Sequence, residues 1–230
     1  MPSSSTIRIA GVQLPRIGLG TNRIRDSREH HDFLRSAVDA GVRHIDTAHL
    51  YTDGASETAI GNALAPFGDD LVVATKGGYD GARPEVLRSE VEESLRRLQV
   101  ETIDLYYLHR PDPEVPFEES IGALADERDA GRIRHVALSQ VDIEQIERAR
   151  KIVEIAAVQH HYSLVEQAND DLVSYCESEG IVFVPFFPLR GVDSAREGLT
   201  WLLARSPMML PIPGTLSIQH LRENLAVLDV

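Results

Sequence analysis

The chain has 230 residues, 43% of them hydrophobic, and a formal charge of −13 at pH 7. So acidic a chain excludes nucleic acid and anionic membrane surfaces as partners, because both require a basic face. The one cysteine, Cys176, excludes an internal disulfide and a four-thiolate zinc site, and it suits a reducing, cytoplasmic setting as a helix residue without chemistry.

Residues 1–6 carry no basic stretch leading into an apolar run, so no signal peptide is expected. Ile7–Leu14 reads as a small hairpin around Gly11. From there strands and helices alternate. Ile17–Thr21 is a strand, and Ser27–Ala40 a helix stopped by Gly41. Val42–Asp46 is a strand, after a polar loop Ser56 caps a helix to Ala65, and Leu71–Lys76 is the next strand. Pro84 opens a helix to Leu98 with Leu87, Val91, Leu95 and Leu98 at helical spacing.

Ile103–His109 is a strand, and Pro111, Pro113 and Pro116 force the chain out of it before the helix Phe117–Ala130. Strands at Ile133–Ser139, Ile155–Gln159, Ile181–Phe187 and Leu210–Pro213 alternate with helices from Asp142, over Asn169–Glu179, over Glu197–Ala204 and over Ser217–Leu228. The strands are continuous apolar runs, as expected of parallel strands covered by helices. Eight such units, with no early Gly-x-Gly-x-x-Gly, predict a closed (β/α)8 TIM barrel with a short N-terminal β-hairpin, residues 1–230 forming one domain.

A barrel of this kind works at the C-terminal ends of its strands. Those ends are Asp46, Lys76, His109, Ser139 with Gln140, Gln159, Phe186, and Gly214 with Thr215. Counting back by twos puts Val42 and His44 on the face of Asp46, Val72 and Ala74 on that of Lys76, and Leu105 and Tyr107 on that of His109. Three inward stacks thus end in reactive groups, with Tyr51 in the loop after Asp46. A phenol has a free pKa of about 10. An adjacent ammonium is expected to lower it, a carboxylate to hold the lysine charged, and a histidine to bond the oxygen that the phenol protonates. The set suits carbonyl reduction and lacks only a hydride, which a cofactor must supply.

The segment Asp-Thr-Ala-His-Leu-Tyr-x-x-Gly-x-Ser-Glu from Asp46, with Ala-Thr-Lys, Leu-His-Arg-Pro, Gly-x-Ile-Arg-His-x-x-Leu-Ser and Ile-Pro-Gly-Thr…Glu-Asn-Leu, resembles the aldo-keto reductases from Ile7 to Leu228. The resemblance implies a barrel that binds NADPH across its C-terminal face and reduces an aldehyde or ketone, a small-molecule carbonyl substrate. It implies Asp46, Tyr51, Lys76 and His109 as the catalytic tetrad. Ser139, Gln140 and Gln159 would hold the nicotinamide carboxamide, and Phe186 would stack under the ring. Leu189, Gly214, Thr215, His220, Glu223 and Asn224 would line the pyrophosphate and adenosine end.

Several positions depart from the family pattern. Gln140 stands where asparagine is usual, and Phe186 where many members have tyrosine. Gly214 and His220 occupy the places of a lysine and an arginine that favour NADPH, so NADH use stays open. The link Arg190–Arg196 is short for the family, and the usual C-terminal tail is not seen before Val230. These last two features motivate the alternative of a nicotinamide-binding regulatory subunit with little turnover. A Schiff-base role for Lys76 is disfavoured, because Asp46 would keep it protonated. The strand Val-Pro-Phe-Phe-Pro-Leu resembles bacterial members linked to pyridoxal reduction.

No metal is expected. The pairs His44/His49 and His160/His161 lack ligand spacing, and Asp112, Glu114, Glu118 and Glu119 flank a helix start where acids complement the dipole. Tyr106, Tyr107 and Trp201 are expected to pack rather than react.

Overall fold

The computed structural model describes residues 5–229, so the expectations about residues 1–4 and Val230 lie outside the described residues. β1 (Thr6–Ile9) and β2 (Val12–Pro15) pair antiparallel with Ile7 opposite Leu14. Ala10 and Gly11, with φ of 49° and 79°, make their two-residue turn, the left-handed conformation that tight hairpins require.

Seven parallel strands follow in sequential order: β3 (Leu19–Gly20), β4 (His44–Asp46), β5 (Val72–Gly77), β6 (Ile103–Leu108), β7 (Ile133–Ser139), β8 (Ile155–His161) and β9 (Val182–Phe186). Between and after them run α1 (Arg28–Asp39), α2 (Ala55–Leu64), α3 (Pro84–Leu98), α4 (Phe117–Asp129), α5 (Ile143–Ala149), α6 (Asp170–Glu179), α7 (Ala195–Arg205) and α8 (Ile218–Leu225). This is the (β/α)8 barrel that the alternation predicts.

Two apolar layers hold it together. Inside the barrel Val72, Ala74, Leu105, Tyr107, Ala137, Ala157, Val182 and Val184 meet Ile7, Ile9 and Leu14 of the hairpin, which plugs one end. The alternate residues Ile45, Val73, Tyr106, Leu108, Val136 and Val158 face the helices. Leu87, Val91 and Leu98 of α3 are at most 1% exposed, and side chains of this kind each stabilise the fold by about 1.5–3 kcal/mol when buried. Trp201 packs on this mantle, its ring 5.6 Å from Tyr162 and nearly parallel to it. Cys176 is buried there, and burial pushes its thiol up to about 12.

Four details differ from expectation. Val42 lies just before β4 and packs outward, so the stack under Asp46 begins at His44. Ser56 does not cap α2. Gly54 (φ 82°) stands at that cap, and Ser56 is buried in the first turn, its Oγ 2.8 Å from Thr47 Oγ1 and 3.0 Å from Thr21 Oγ1. Helix α7 starts earlier than predicted, because Ser194 accepts a hydrogen bond from the Glu197 amide.

Finally, Leu210–Pro213 forms no continuous strand. Its neighbours are held by Phe183 N donating to Met208 O and Leu210 N to Phe183 O, both at 2.9 Å, and by Gly18 N donating to Pro211 O at 2.9 Å. Pro211 and Pro213 have no N–H to return, so the eighth stave can only accept bonds from the β3 side. Arg16 reinforces this joint. It is 1% exposed, and its guanidinium donates to Met209 O (3.2 Å), to Leu203 O (3.0 Å) and to Ser206 O.

Candidate active site

A cavity of about 680 Å³ opens at the C-terminal ends of the strands. Asp46, Tyr51, His109, Ser139, Gln140, Gln159, Phe186, Leu189 and Gly214 all line it. Lys76 is fully buried just behind Tyr51 and Asp46.

Register explains the arrangement. Asp46 is level with Ala74, so Lys76 stands one pleat further along β5 and leans back. Its Nζ donates to Asp46 Oδ1 at 2.5 Å, to Thr47 O at 2.7 Å and to Tyr51 Oη at 3.4 Å. Three donors are thereby matched with three acceptors. The second carboxylate oxygen of Asp46 accepts from Gln159 Nε2 at 2.8 Å, which links β4 to β8 across the barrel. Burial, the largest influence, pulls the lysine towards neutrality, but Asp46 and Tyr51 together outweigh it and leave Lys76 above its ordinary value.

Tyr51 behaves differently from the expectation. Desolvation raises its pKa more than Lys76 lowers it, so the phenol stays protonated at neutral pH. The lysine limits the rise rather than reversing it. His109 is pushed down to about 3 by burial, with Lys76 and Arg110 adding to the effect, and it is therefore neutral. Its Nδ1 is buried without a partner, which leaves Nε2 as the nitrogen open to the cavity. Below Asp46, His44 is also buried and neutral, its pKa lowered to about 4 by desolvation.

Several residues in the segments after strands carry left-handed backbone: Thr52 (φ 51°) and Asp53 (54°) in the loop after β4, and Gln140 (57°) and Phe187 (51°) directly after β7 and β9. For L-residues this conformation costs about 1–2 kcal/mol each. Gln140 is held there by Gln140 N donating to Gln159 O (3.0 Å) and its Nε2 donating to His109 O (3.3 Å). Phe186 stacks on His161, the rings 5.6 Å apart and 13° from parallel.

The remaining predicted positions lie off the cavity wall. Thr215 Oγ1 accepts from Ser217 N at 3.0 Å, and Asn224 is buried in α8. His220 and Glu223 are exposed on α8, Glu223 accepting from Gln219. Sequence reasoning missed Thr21, Asn22, Arg23 and Tyr79, which also line the cavity. Arg23 donates to Gly214 O at 2.9 Å and so puts a cation where Gly214 has none. The Tyr79 ring meets His109 edge-on at 4.9 Å and lies under the Arg110 guanidinium at 4.0 Å. Their position after strand ends was the available signal.

His49 is tied to Glu93 (2.9 Å) and Glu90 (3.5 Å) beside the Tyr51 loop, and does not line the cavity. Asp112 accepts from the Glu114 and Ala82 amides, and Glu118 pairs with Arg148. Among the described residues no group of three or more His, Cys, Asp or Glu side chains is placed to hold a metal ion, and no helix is long and apolar enough to cross a membrane.

A dinucleotide fits this wall. Amide and hydroxyl groups (Ser139, Gln140, Gln159) can both donate and accept, Phe186 offers a flat ring, and Arg23 and Arg190 are cations suited to phosphate. At the edge of the cavity, a Cβ on Gly20 would come within 2.8 Å of Ile212 O, so only glycine allows the close approach of that segment.

Comparison with known proteins agrees with the geometry. The family described as "Aldo/keto reductase family" matches residues 16–198. Pyridoxine 4-dehydrogenase of Escherichia coli is 34% identical, the match covering 97% of this chain and 93% of that protein. An uncharacterized oxidoreductase of Schizosaccharomyces pombe is also 34% identical, over 96% of this chain and 84% of its own length. Among solved structures, an aldo/keto reductase from Klebsiella pneumoniae in complex with NADP and acetate superposes with a TM-score of 0.88 at 27% identity, covering 99% of this chain and 90% of that one.

Proposed function

The chain belongs to the aldo/keto reductase family and is a nicotinamide-dependent oxidoreductase, and from that premise we propose that it reduces an aldehyde or ketone to the alcohol with Tyr51 as the proton donor. NADPH is the cofactor of the proposal, as in the Klebsiella pneumoniae relative solved with NADP. When bound, it supplies the hydride. Residues 1–230 are taken to act as one barrel domain.

The single observation that carries this reading is the buried chain Asp46–Lys76–Tyr51 at the cavity wall. Tyr51 holds its proton at neutral pH and can release it to an oxygen acquiring negative charge, because Lys76 stands 3.4 Å from the resulting phenolate. Asp46 keeps Lys76 charged and aimed. Neutral His109 offers Nε2 to the same oxygen and orients it.

Ser139, Gln140 and Gln159 would hold the carboxamide and Phe186 the face of the nicotinamide. Gln159 spends an N–H on Asp46 and keeps its carbonyl oxygen as acceptor. Leu189, Gly214, Thr215, His220, Glu223 and Asn224 would serve the pyrophosphate and adenosine end. The intact Asp46–Lys76–Tyr51 chain favours turnover over a regulatory role. The occupied lysine, with all three donors engaged, speaks against a Schiff base. The similarity to pyridoxine 4-dehydrogenase makes pyridoxal the first aldehyde to test.

The experiment is Tyr51→Phe assayed by NADPH oxidation and by cofactor fluorescence. Turnover should fall about 10²–10⁴-fold with cofactor affinity retained. A variant that reduces pyridoxal and a panel of aldehydes at the wild-type rate sinks the assignment.

A further inference from the structure

The loop between β4 and α2 carries Tyr51 and then runs through three consecutive left-handed residues, Thr52, Asp53 and Gly54. A β-branched threonine does not adopt that conformation unaided, so something outside the loop must hold it. On the barrel side the holds are main-chain bonds, Thr47 N donating to Ala74 O at 2.8 Å and His49 N to Lys76 O at 2.9 Å. Those bonds fix the loop up to His49. Beyond it, the Thr52 hydroxyl donates to Ile24 O at 2.8 Å.

The other anchor comes from an outer helix. Arg97 lies in the last turn of α3, 48 positions after His49, with its side chain 15% exposed. One NH1 donates to His49 O at 3.0 Å and reaches Glu57 Oε2 at 3.3 Å, while NH2 donates to Glu93 Oε1 at 2.8 Å. The flat guanidinium also lies against Gly54 so closely that a Cβ there would overlap its carbon. Arg97 therefore grips the loop two residues before Tyr51 and three residues after it.

The grip continues into the barrel. Glu57 is fully buried, and its other oxygen accepts from Thr75 Oγ1 at 2.6 Å, the residue next to Lys76. Glu93, which Arg97 also holds, reaches back to His49 Nε2 at 2.9 Å. A planar fork with several fixed donors can serve a carbonyl, two carboxylates and a packing face at once. An ammonium cannot.

We propose that Arg97 is a positioning residue for Tyr51, setting where the phenol stands relative to Lys76 from a helix on the outside of the barrel. The inference rests on the reading of Tyr51 as proton donor. Arg97 does not line the cavity of the site, and it acts through His49, Gly54, Glu57 and Glu93.

The test uses the full chain. Arg97→Met alone strands the buried Glu57 carboxylate and can fail to fold, so the informative variants are Arg97→Lys and the double variant Arg97→Met with Glu57→Gln, which removes both charges. Three quantities are read: kcat and KM for pyridoxal, NADPH affinity by fluorescence, and amide hydrogen exchange across residues 47–54. The expected result is a kcat at least 30-fold lower in both variants, with KM and NADPH affinity within threefold of wild type. Exchange in 47–54 should quicken at least tenfold while amides of β6 and β7 keep their rates.

A kcat within threefold of wild type in the folded double variant overturns the proposal. So does unchanged exchange in 47–54, or a loosening spread evenly over the barrel, which would make Arg97 merely structural. Should the wild-type chain reduce no carbonyl at all, the proposed function falls, and the exchange measurement alone decides whether Arg97 holds the loop.

Discussion

His44 offers the sharpest quantitative test of the buried site. Its imidazole lies at the base of the Asp46 stack, fully buried with both ring nitrogens unpartnered, and desolvation lowers its pKa from 6.5 to about 4. The unfolded chain would therefore bind a proton at His44 between pH 6.5 and 4 that the folded chain refuses. Stability from this group is fully present above pH 6.5 and is lost as pH falls through about 4. At 1.36 kcal/mol per pH unit the loss comes to about 3 kcal/mol. Replacing His44 with leucine keeps similar volume and abolishes the titration. Urea unfolding of both proteins across pH 4.5–7.5 gives two curves whose difference cancels every other titrating group. That difference should be nearly flat above pH 7, and the wild type should lose about 1.1 kcal/mol per pH unit relative to the variant between pH 6 and 4.5. Parallel curves would refute the account and mean that water or a partner reaches the imidazole in solution.

Lys76→Met should destabilise the fold by about 3–5 kcal/mol in thermal or urea unfolding, because it leaves the Asp46 carboxylate buried against Gln159 alone, and adding Asp46→Asn should recover most of that loss. With His109 held down to about 3, kcat/KM for aldehyde should show no acid limb between pH 5 and 7, and an inflection near 6.5 that vanishes in His109→Gln would contradict the burial argument. Gly77→Ala should cost about 1–3 kcal/mol, since the new methyl meets the Tyr106 hydroxyl and the Glu90 carboxylate, and an unchanged melting temperature would show that both can move aside.

The barrel was legible because its evidence is periodic. Val72, Ala74, Leu105 and Tyr107 face inward as their parity predicts, and that parity brought Asp46, Lys76 and His109 to one end. What the pattern could not show was sideways reach. The Arg97 contact with His49 spans 48 positions, and the Arg23 contact with Gly214 spans 191, so neither leaves a trace in local spacing. Ser56 was misassigned for a related reason. A serine before a helix usually bonds forward, but here Thr47 and Thr21 claim its hydroxyl from neighbouring strand ends. The net behaviour of Tyr51 was hidden too, since a sequence shows the lysine that lowers a pKa but not the depth of burial that raises it.

The proline-broken eighth stave forms one side of the cavity's bore. Gly20, Ile212, Pro213 and Gly214 all stand in its wall, where the ring closes through Gly18 N donating to Pro211 O and Gly20 N donating to Pro213 O. Six parallel ladders fix the rest of the ring, while this stave has no N–H to offer at Pro211 or Pro213. The girth of the bore is thus set by where the backbone at Pro211 and Pro213 runs as much as by the side chains that line it.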